Sequence, residues 1–411
     1  MSTRSSKPVM QNLKGFRDFL PKEAAKRNWL RGRLIEIVEK WGYEPLETPT
    51  LEPLALFTGQ ICEDEKLFFS FKDQGKRKVA LRYDQTVPTC RVIGQYYNQL
   101  VFPWRRYQIQ SAFRAEKPQK GRYREFTQFD LDIFGVASPL ADAEIMAVNL
   151  DIYQQLGFKK VKILVNNRDL MQGIPYPAIA AIDKLKRIGK DRVIEEMIAK
   201  GIEEEQAKKY FDQVKKIQPD ETIKIIFDYL QKSGYGPEHY QFEPTLARSF
   251  SYSQGPIWEI VIPEYAAGAV GGGERYDNLV EKISGQKIPA TGIALGFDRT
   301  LEALEICGLL PQMKTDSRVL VTVFAPELHE KSIDLGKKLR DKKIKTEVYP
   351  DPMVKLDKQL KYADKKSLEW VAVIGPNEIE NRTVSLKNLK TRTQVTVAQE
   401  AVVEIINGSS T

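Results

Sequence analysis

Two long segments with strand-like sequences, joined by a basic turn, constrain the fold more than any other feature. Residues 106–114 and 125–134 are rich in β-branched and aromatic side chains, a composition that favours extended structure. The residues between them predict a long hairpin loop with Glu116 as its only acid. Its five basic side chains are Arg114, Lys117, Lys120, Arg122 and Arg124. Such a cluster of like charges indicates either a solvated loop or a loop that binds a polyphosphate or a nucleic acid.

The sequence outside this hairpin predicts three structural parts. Residues 169–236 are rich in Lys, Glu, Ile and Ala at helical spacing, which predicts a helical insertion. Residues 1–168 and 237–312 contain the strand-like segments and are interpreted as the domain that the insertion interrupts. After a linker near 310–317, strands and helices alternate. Residues 317–411 are therefore predicted to form a small α/β domain with a mostly parallel sheet.

A glycine cluster and three acidic residues are further candidates for a site. The cluster at 268–273 follows strands predicted from 244 to 262, without the βαβ context of a dinucleotide-binding motif. It indicates either a tight turn or a close approach of the backbone to a small ligand. Asp84 and Asp132 are placed on separate predicted strands, with Asp130 nearby. On an inner face, these carboxylates would suit a cationic or hydrogen-bond-donating ligand.

Composition narrows the class of protein. The chain has 63 Lys and Arg against 55 Asp and Glu, a net charge of +8 that permits an anionic partner without requiring one. Its three cysteines, Cys62, Cys90 and Cys307, are widely spaced, and only two histidines are present. A structural zinc site is therefore not expected, and the sparse cysteines suit a reducing cytoplasm. The start, 1–7, lacks the apolar region of a secretory signal, and no apolar run approaches a membrane span of roughly 18 residues.

Several short segments occur in an informative order along almost the whole chain. They are residues 15–21 (GFRDFLP), 81–88 (LRYDQTVP), 113–116 (FRAE) with 121–126 (GRYREF), 292–299 (GIALGFDR) and 358–364 (KQLKYAD). Together they resemble the motifs of class II aminoacyl-tRNA synthetases, with 113–126 similar to motif 2 and 292–299 similar to motif 3. Pro49 matches the dimer-interface proline of motif 1. The segments at 81–88 and 358–364 resemble the histidyl-tRNA synthetase family in particular.

The resemblance implies a fold and an activity. Residues 1–168 and 237–312 would form a class II catalytic domain, a mostly antiparallel sheet flanked by helices, and 317–411 an α/β anticodon-binding domain. The chain would act as a cytoplasmic homodimer. It would ligate L-histidine to the 3′ end of tRNA(His) through a histidyl-adenylate, releasing AMP and pyrophosphate. ATP would be a substrate, with Mg²⁺ bound to it.

The resemblance also assigns residues to ATP and to catalysis. Arg114 would hold the histidine carboxylate or the α-phosphate of ATP, while Arg122 and Arg299 would hold the γ-phosphate. Glu116 would read the adenine amino group, and Phe126 would stack on the adenine ring. The catalytic residues implied are Arg114, Arg248 and Arg299. Arg248 matches the arginine that takes the place of a metal ion at the α-phosphate.

Another set of matches concerns histidine and tRNA. The implied histidine-binding residues are Asp84, Thr86, Arg114, Gln128, Asp132, Arg248, Tyr252 and Tyr276. Asp84 and Thr86 would hold the α-amino group, and Asp132 would face an imidazole nitrogen. Lys117 and Gln119 match positions in the motif 2 loop that meet the first bases of the acceptor stem.

Three residues depart from the family pattern. Ser251, Ser253 and Glu274 stand where the resembled motifs have Asp, Tyr and Gly. Two alternatives therefore stay open: a catalytically inactive, histidine-sensing regulatory protein, and a class II ligase for another amino acid. A regulator of this kind lacks the anticodon-binding domain and erodes the ATP arginines, both of which this chain retains. Asp84, Thr86 and the Arg248 segment favour histidine over another amino acid.

Overall fold

The chain forms two compact units, residues 1–311 and 312–411. The computed structural model describes residues 10–59, 67–118, 123–248, 252–312 and 317–408. In those ranges no helix is both long enough and apolar enough to cross a membrane.

The first unit combines helices and strands throughout its length. Its helices, in the part of the chain that the structure describes, are α1 (Pro21–Lys40), α2 (Thr86–Tyr96), α3 (Pro139–Gln155), α4 (Tyr176–Ile182), α5 (Leu185–Ile188), α6 (Lys190–Ala199), α7 (Glu204–Lys215), α8 (Glu221–Lys232), α9 (Asp277–Ser284) and α10 (Phe297–Ile306). Its strands are β1 (Glu44–Pro45), β2 (Leu51–Pro53), β3 (Ser70–Lys72), β4 (Lys78–Leu81), β5 (Trp104–Phe113), β6 (Glu125–Phe134), β7 (Lys162–Asn167), β8 (Tyr240–Phe242), β9 (Gln254–Val261), β10 (Gly271–Arg275) and β11 (Ala290–Gly296).

An eight-stranded sheet organises this unit. The strand order is β1-β5-β6-β11-β10-β9-β7-β8, and only the edge pairs β1-β5 and β7-β8 are parallel. The prediction of a mostly antiparallel sheet flanked by helices is therefore confirmed. The basic segment does join two long antiparallel strands, since β5 and β6 pair along their whole length from Trp104–Phe134 to Phe113–Glu125.

One face of the sheet carries the core. Because side chains alternate along a strand, Phe129, Leu131 and Ile133 of β6 all point to this face. They pack with α1, α3 and α10; α1 and α10 present an apolar stripe to the sheet, whereas α3 is buried on almost all sides. In α1 that stripe consists of Leu30, Leu34, Ile37 and Val38. The opposite face is thereby left for polar side chains.

A second, smaller sheet lies beside the first. Its order is β2-β4-β3, and it packs with α2 and α9 around a separate apolar cluster that includes Phe57, Val87 and Leu279. The strand structure predicted at 244–262 is shorter than expected. Among the described residues of that range, only those of β9 form a strand. Residues 244 and 245 form a turn, and Asn166 anchors this segment through hydrogen bonds to the carbonyls of Pro244 and Leu246.

The predicted helical insertion divides into two parts. Helices α4 to α7 enclose their own core, built around Ile179, Met197 and Phe211. Helix α8 instead contributes Ile223 and Ile226 to the core of the large sheet, where α3 also lies. The last helix of the insertion is thus part of the surrounding fold.

The second unit is a five-stranded sheet with helices. Its elements are β12 (Val319–Val321), α11 (His329–Asp341), β13 (Thr346–Val348), α12 (Leu356–Lys365), β14 (Trp370–Val373), α13 (Pro376–Glu380), β15 (Thr383–Asn388), β16 (Gln394–Ala398) and α14 (Val402–Gly408). The strand order is β13-β12-β14-β15-β16. The prediction of a mostly parallel sheet is wrong, because only β12 pairs in parallel, with β13 and β14. The links from β14 to β15 and from β15 to β16 are too short for the crossover that parallel strands require.

Candidate functional site

The polar face of the large sheet is built from paired residues at every second position. In one row across the strands, Arg106 pairs with Asp132, Asp132 with Gly292, and Gly292 with Glu274. In the next row, Gln108, Asp130, Ala294, Gly272 and Glu259 follow one another in the same way. Strand periodicity puts all of these side chains on the face opposite the core. This face is the floor of the candidate site.

The glycine cluster belongs to this floor. Of the two alternatives for the cluster at 268–273, the tight turn is wrong for Gly271, Gly272 and Gly273, since they begin the central strand β10. A Cβ atom at Gly272 would lie 1.7 Å from Nη1 of Arg248, and one at Gly292 would lie 1.8 Å from Oδ1 of Asp132. These glycines therefore leave room for the side chains of Arg248 and Asp132 to lie close to the sheet.

The segment before α2 forms one wall. Arg82 donates to the carbonyls of Thr48 and Ser111, and Gln85 donates to the carbonyls of Gln110 and Gln128. These two buried side chains bind the segment to β5 and β6. The expectation that Asp84 lies on a strand is wrong, because β4 ends at Leu81.

Asp84 instead lies just before α2. Its carboxylate accepts a hydrogen bond from the backbone N–H of Val87, as an acidic side chain does at a helix N-terminus. Thr86, the first residue of α2, lines the same cavity as Asp84. The two polar groups thereby face the floor from one side.

Arg114 enters the cavity from the end of β5. Its guanidinium lies 4.4 Å from the ring centre of Tyr83 and 5.0 Å from that of Phe126. The rings hold the side chain by cation–π contact. Its buried Nε has no hydrogen-bond partner within the described residues. An arginine held in this way keeps donors available for an anionic ligand.

Arg299 enters from α10, at the opposite end. It donates to the carbonyl of Ala269 at 2.7 Å, while the preceding residue, Asp298, anchors the helix. Asp298 pairs with Arg17 and Arg27 and accepts from the backbone N–H of Thr127. The 292–299 segment thus holds the exposed Arg299 side chain at the rim of the cavity.

A buried network surrounds Asp132. Tyr276 donates to its Oδ1, and Arg106 lies 2.5 Å from its Oδ2. Arg106 is fully buried, and sequence reasoning missed it. The missed signal is the alternation of polar residues in β5, where Arg106, Gln108 and Gln110 share one face.

Burial raises the pKa values of three carboxyl groups on the wall and floor of the site. It raises the pKa of Asp84 to about 6, against the opposing effects of the Val87 N–H and of Arg114. Burial also raises the pKa values of Asp130 and Asp132, although Arg106 opposes the shift at both. The floor therefore holds carboxyl groups that a bound cation or hydrogen-bond donor would stabilise in their ionised form.

Ten of the residues predicted to bind ATP or histidine or to act in catalysis line one cavity of about 310 Å³. They are Asp84, Thr86, Arg114, Phe126, Gln128, Asp132, Arg248, Tyr252, Tyr276 and Arg299. Glu259 and Glu274, which were not assigned a role, line it as well.

The other predicted site residues are not in that lining. Glu116 accepts a hydrogen bond from Tyr83 at the cavity wall, and Lys117 is exposed on the hairpin loop. Arg122, Gln119 and Ser251 lie outside the described residues.

Comparisons with known proteins decide the family. The family model for histidyl-tRNA synthetase matches residues 15–188 and 177–300, and the model for the anticodon-binding domain matches residues 318–408. This chain belongs to the histidyl-tRNA synthetase family. The histidine–tRNA ligase of Cytophaga hutchinsonii is 34% identical over 443 residues, which cover 95% of this chain and 98% of that protein. The ligase of Helicobacter hepaticus is 34% identical over 422 residues, 94% of this chain and 95% of its own length.

A solved structure agrees with this assignment. Histidyl-tRNA synthetase from Nostoc sp. PCC 7120 is 26% identical, with a TM-score of 0.81 over 98% of this chain and 100% of that one. The prediction of a class II histidine–tRNA ligase is confirmed by these full-length relatives. The family match extends through the anticodon-binding domain, which the regulatory alternative was expected to lack.

Proposed function

We propose that this chain activates L-histidine with ATP and transfers the histidyl group to tRNA(His). The observation that carries the proposal is the single cavity in which Arg114, Arg248 and Arg299 meet the polar groups of Asp84 and Gln128. Three cations suit a triphosphate. Buried carboxyl and amide groups suit an amino acid.

The arginines act on the adenylation step. The histidine carboxylate attacks the α-phosphorus and pyrophosphate leaves, so the protein must align the reactants and neutralise the charge that develops. Arg114 and Arg248 lie on the inner part of the cavity and would act at the carboxylate and the α-phosphate. Arg299, at the rim, would hold the γ-phosphate, and Arg122 would add a second contact. Phe126 would stack on adenine, whose amino group Glu116 would read.

The carboxylate side chains of the cavity would bind histidine. Asp84 would pair with the ammonium group of histidine. Burial favours the protonated form of the Asp84 carboxyl group, and the positive charge of the ligand would favour the ionised form. Oε1 of Gln128 has no hydrogen-bond partner in the described ranges and is available to the same group. Asp132, with Tyr276 and Arg106, would accept from an imidazole N–H. Tyr252 completes this side of the cavity.

Asp84 gives a pH-dependent prediction. The pKa of about 6 means that the carboxylate is ionised above pH 6 and protonated below it. Only the ionised form attracts the ammonium group, so histidine affinity falls as the pH drops through 6, by about tenfold per pH unit well below it. The measurement is the ratio of histidine KM values for Asp84→Asn and the unaltered protein. The substrate imidazole titrates in both proteins, so its effect cancels. The ratio should shrink below pH 6, and a pH-independent ratio would contradict the role of Asp84.

Mg²⁺ bound with ATP is part of the proposal. Glu259 lines the same cavity as Arg248 and Arg299, and burial raises the pKa of its carboxyl group. Carboxylate and phosphate oxygens are ligands that Mg²⁺ prefers, so Glu259 is the residue that would hold the ion. The ion supplies charge to balance the triphosphate. No zinc is proposed, and the described residues contain no group of three or more His, Cys, Asp or Glu that could hold a metal.

The acceptor stem and the anticodon would meet different parts of the chain. Lys117 is exposed on the hairpin loop and would contact the acceptor stem together with Gln119. In the second unit, Phe324 and Met353 are exposed after the neighbouring parallel strands β12 and β13, so they follow the same sheet edge. The Gln359 side chain holds the segment that follows β12, since it accepts a hydrogen bond from the N–H of Val323 and donates one to its carbonyl. Single-stranded bases are read by stacking on exposed aromatic rings, so this edge would receive the anticodon.

Phe324→Ala tests that edge. Loss of one stacked base should lower kcat/KM for tRNA charging by about tenfold. Histidine-dependent ATP–pyrophosphate exchange, which needs no tRNA, should not change. Ile333→Ala is the matched control, since Ile333 is an exposed apolar residue on α11. Equal charging by both variants would contradict a role for Phe324.

A cytoplasmic homodimer completes the proposal. Pro49, which matches the dimer-interface proline, is exposed, and so is Leu51 two residues later. The direct test of function is transfer of labelled histidine to a tRNA(His) transcript in the presence of ATP and Mg²⁺. Histidyl-tRNA should accumulate, and absence of product with folded protein would contradict the proposal.

A further inference from the structure

Two of the three departures from the family pattern contact each other. Ser253 and Glu274 are both buried, and the Ser253 hydroxyl donates to Oε2 of Glu274. The other carboxylate oxygen, Oε1, lies 3.3 Å from Nη2 of Arg248. The serine and the glutamate therefore form one unit that reaches the arginine of the adenylation step.

The position of Glu274 follows from the sheet. It pairs with Gly292 on β11 and Ile257 on β9, and it lies two residues from Gly272 on the same face of β10. The guanidinium of Arg248 lies against Gly272, as the 1.7 Å approach to a Cβ atom there indicates. The backbone hydrogen bonds of β10 therefore hold Glu274 next to the Arg248 guanidinium.

Arg248 needs such a support. Its backbone φ is +45°, in the left-handed region that side chains other than glycine rarely adopt. Burial lowers the pKa of Arg248, but the carboxylates of Glu274 and Glu259 outweigh burial and raise it. The arginine is charged in any case, so their main effect is on its orientation. With Glu274 absent, only the weaker attraction of the Glu259 carboxylate would remain of the two.

We propose that Glu274 is a positioning residue for adenylate formation, which holds the Arg248 guanidinium over Gly272 with Ser253 as its hydrogen-bond donor. The inference rests on the proposed function, because it concerns the arginine at the α-phosphate. In this chain, a serine–glutamate pair does the supporting work at positions where the family pattern has tyrosine and glycine. Neither residue has to touch histidine for this role.

The test compares Glu274→Ala with Glu274→Gln in histidine-dependent ATP–pyrophosphate exchange. A misplaced catalytic group costs rate, so Glu274→Ala should lower kcat by about 10- to 100-fold, with KM for ATP and histidine changed less than about threefold. Glu274→Gln should keep most of the rate, since its amide oxygen still accepts from Arg248. Glu144→Ala is the matched control, because Glu144 forms a carboxylate–arginine pair with Arg105 at 2.6 Å outside the cavity. It should leave kcat unchanged.

A second measurement tests the contact between Ser253 and Glu274 independently of activity. In thermal unfolding, the shift for Ser253→Ala combined with Glu274→Ala should be smaller than the sum of the two single shifts, since one contact is lost only once. Additive shifts would overturn the pairing. A fall in kcat/KM carried by histidine KM alone, or an unchanged kcat in Glu274→Ala, would overturn the positioning role. Absence of exchange in the unaltered protein would instead overturn the proposed function, and the unfolding measurement would still decide the pairing.

Discussion

Arg248→Ala should lower the rate of histidyl-adenylate formation by about 10²- to 10³-fold, the loss expected when one group that stabilises developing charge is removed. The arginine is mostly buried against the floor of the cavity, so its donors would act at the α-phosphate, where charge develops, rather than at the γ-phosphate. KM for ATP should change by less than about threefold, because Arg114 and Arg299, the other two proposed contacts, would still hold the nucleotide. ATP–pyrophosphate exchange at saturating histidine measures both quantities.

An arginine on the other face of the same sheet serves as the control. Arg105 pairs with Glu144 at 2.6 Å, and Arg105→Ala removes an arginine of similar pairing without touching the cavity. Its exchange rate should equal that of the unaltered protein. If Arg248→Ala weakened ATP binding as much as it slowed the reaction, the arginine would be a ground-state binding residue and the proposed role would fail.

Gly272→Ala should have an effect nearly as large, through one added methyl group. The new Cβ atom would lie 1.7 Å from Nη1 of Arg248, a distance that forces the guanidinium away from the sheet. The displaced atoms are the end of a side chain, so the backbone can stay in place and the fold should persist. Exchange should fall by about 10²-fold, as for other small displacements of catalytic groups.

Gly32→Ala is the matched control for this change. Gly32 lies in α1 with nothing within 4 Å of an added Cβ atom, and alanine favours a helix. This variant should exchange normally and melt at the same or a higher temperature. Normal exchange in Gly272→Ala would show that Arg248 does not need to lie against β10. A large loss of melting temperature in Gly272→Ala would show instead that the strand itself is disrupted.

Much of the site followed from sequence because its residues lie in short, ordered motifs. The hairpin strands were predicted within two residues of β5 and β6, and the family resemblance had already assigned Gln128 and Asp132 of β6 to the site. The cavity gathers ten of the residues predicted to bind ATP or histidine or to act in catalysis, from segments as distant as Asp84 and Arg299. Motif order supplied that link, since composition and periodicity carry no information about which distant segments meet.

The sequence predictions that were wrong depend on contacts between distant residues. A tight turn stayed one of two alternatives for the glycine cluster because the side chain that lies against Gly272, that of Arg248, comes from another segment. Asp84 was placed on a strand because nothing local showed that Arg82 and Gln85 tie its segment to β5 and β6. Ser253 and Glu274 each read as a separate departure, and only the fold brings them into contact.

Amino-acid-dependent ATP–pyrophosphate exchange, run across all twenty amino acids, tests the central claim most directly. Exchange with histidine alone is the predicted result, and it would show that the pocket with Ser253 and Glu274 reads imidazole. Exchange with a different amino acid would make the chain a ligase of another specificity. No exchange with any amino acid, on protein that is folded, would contradict the claim and support a regulatory role.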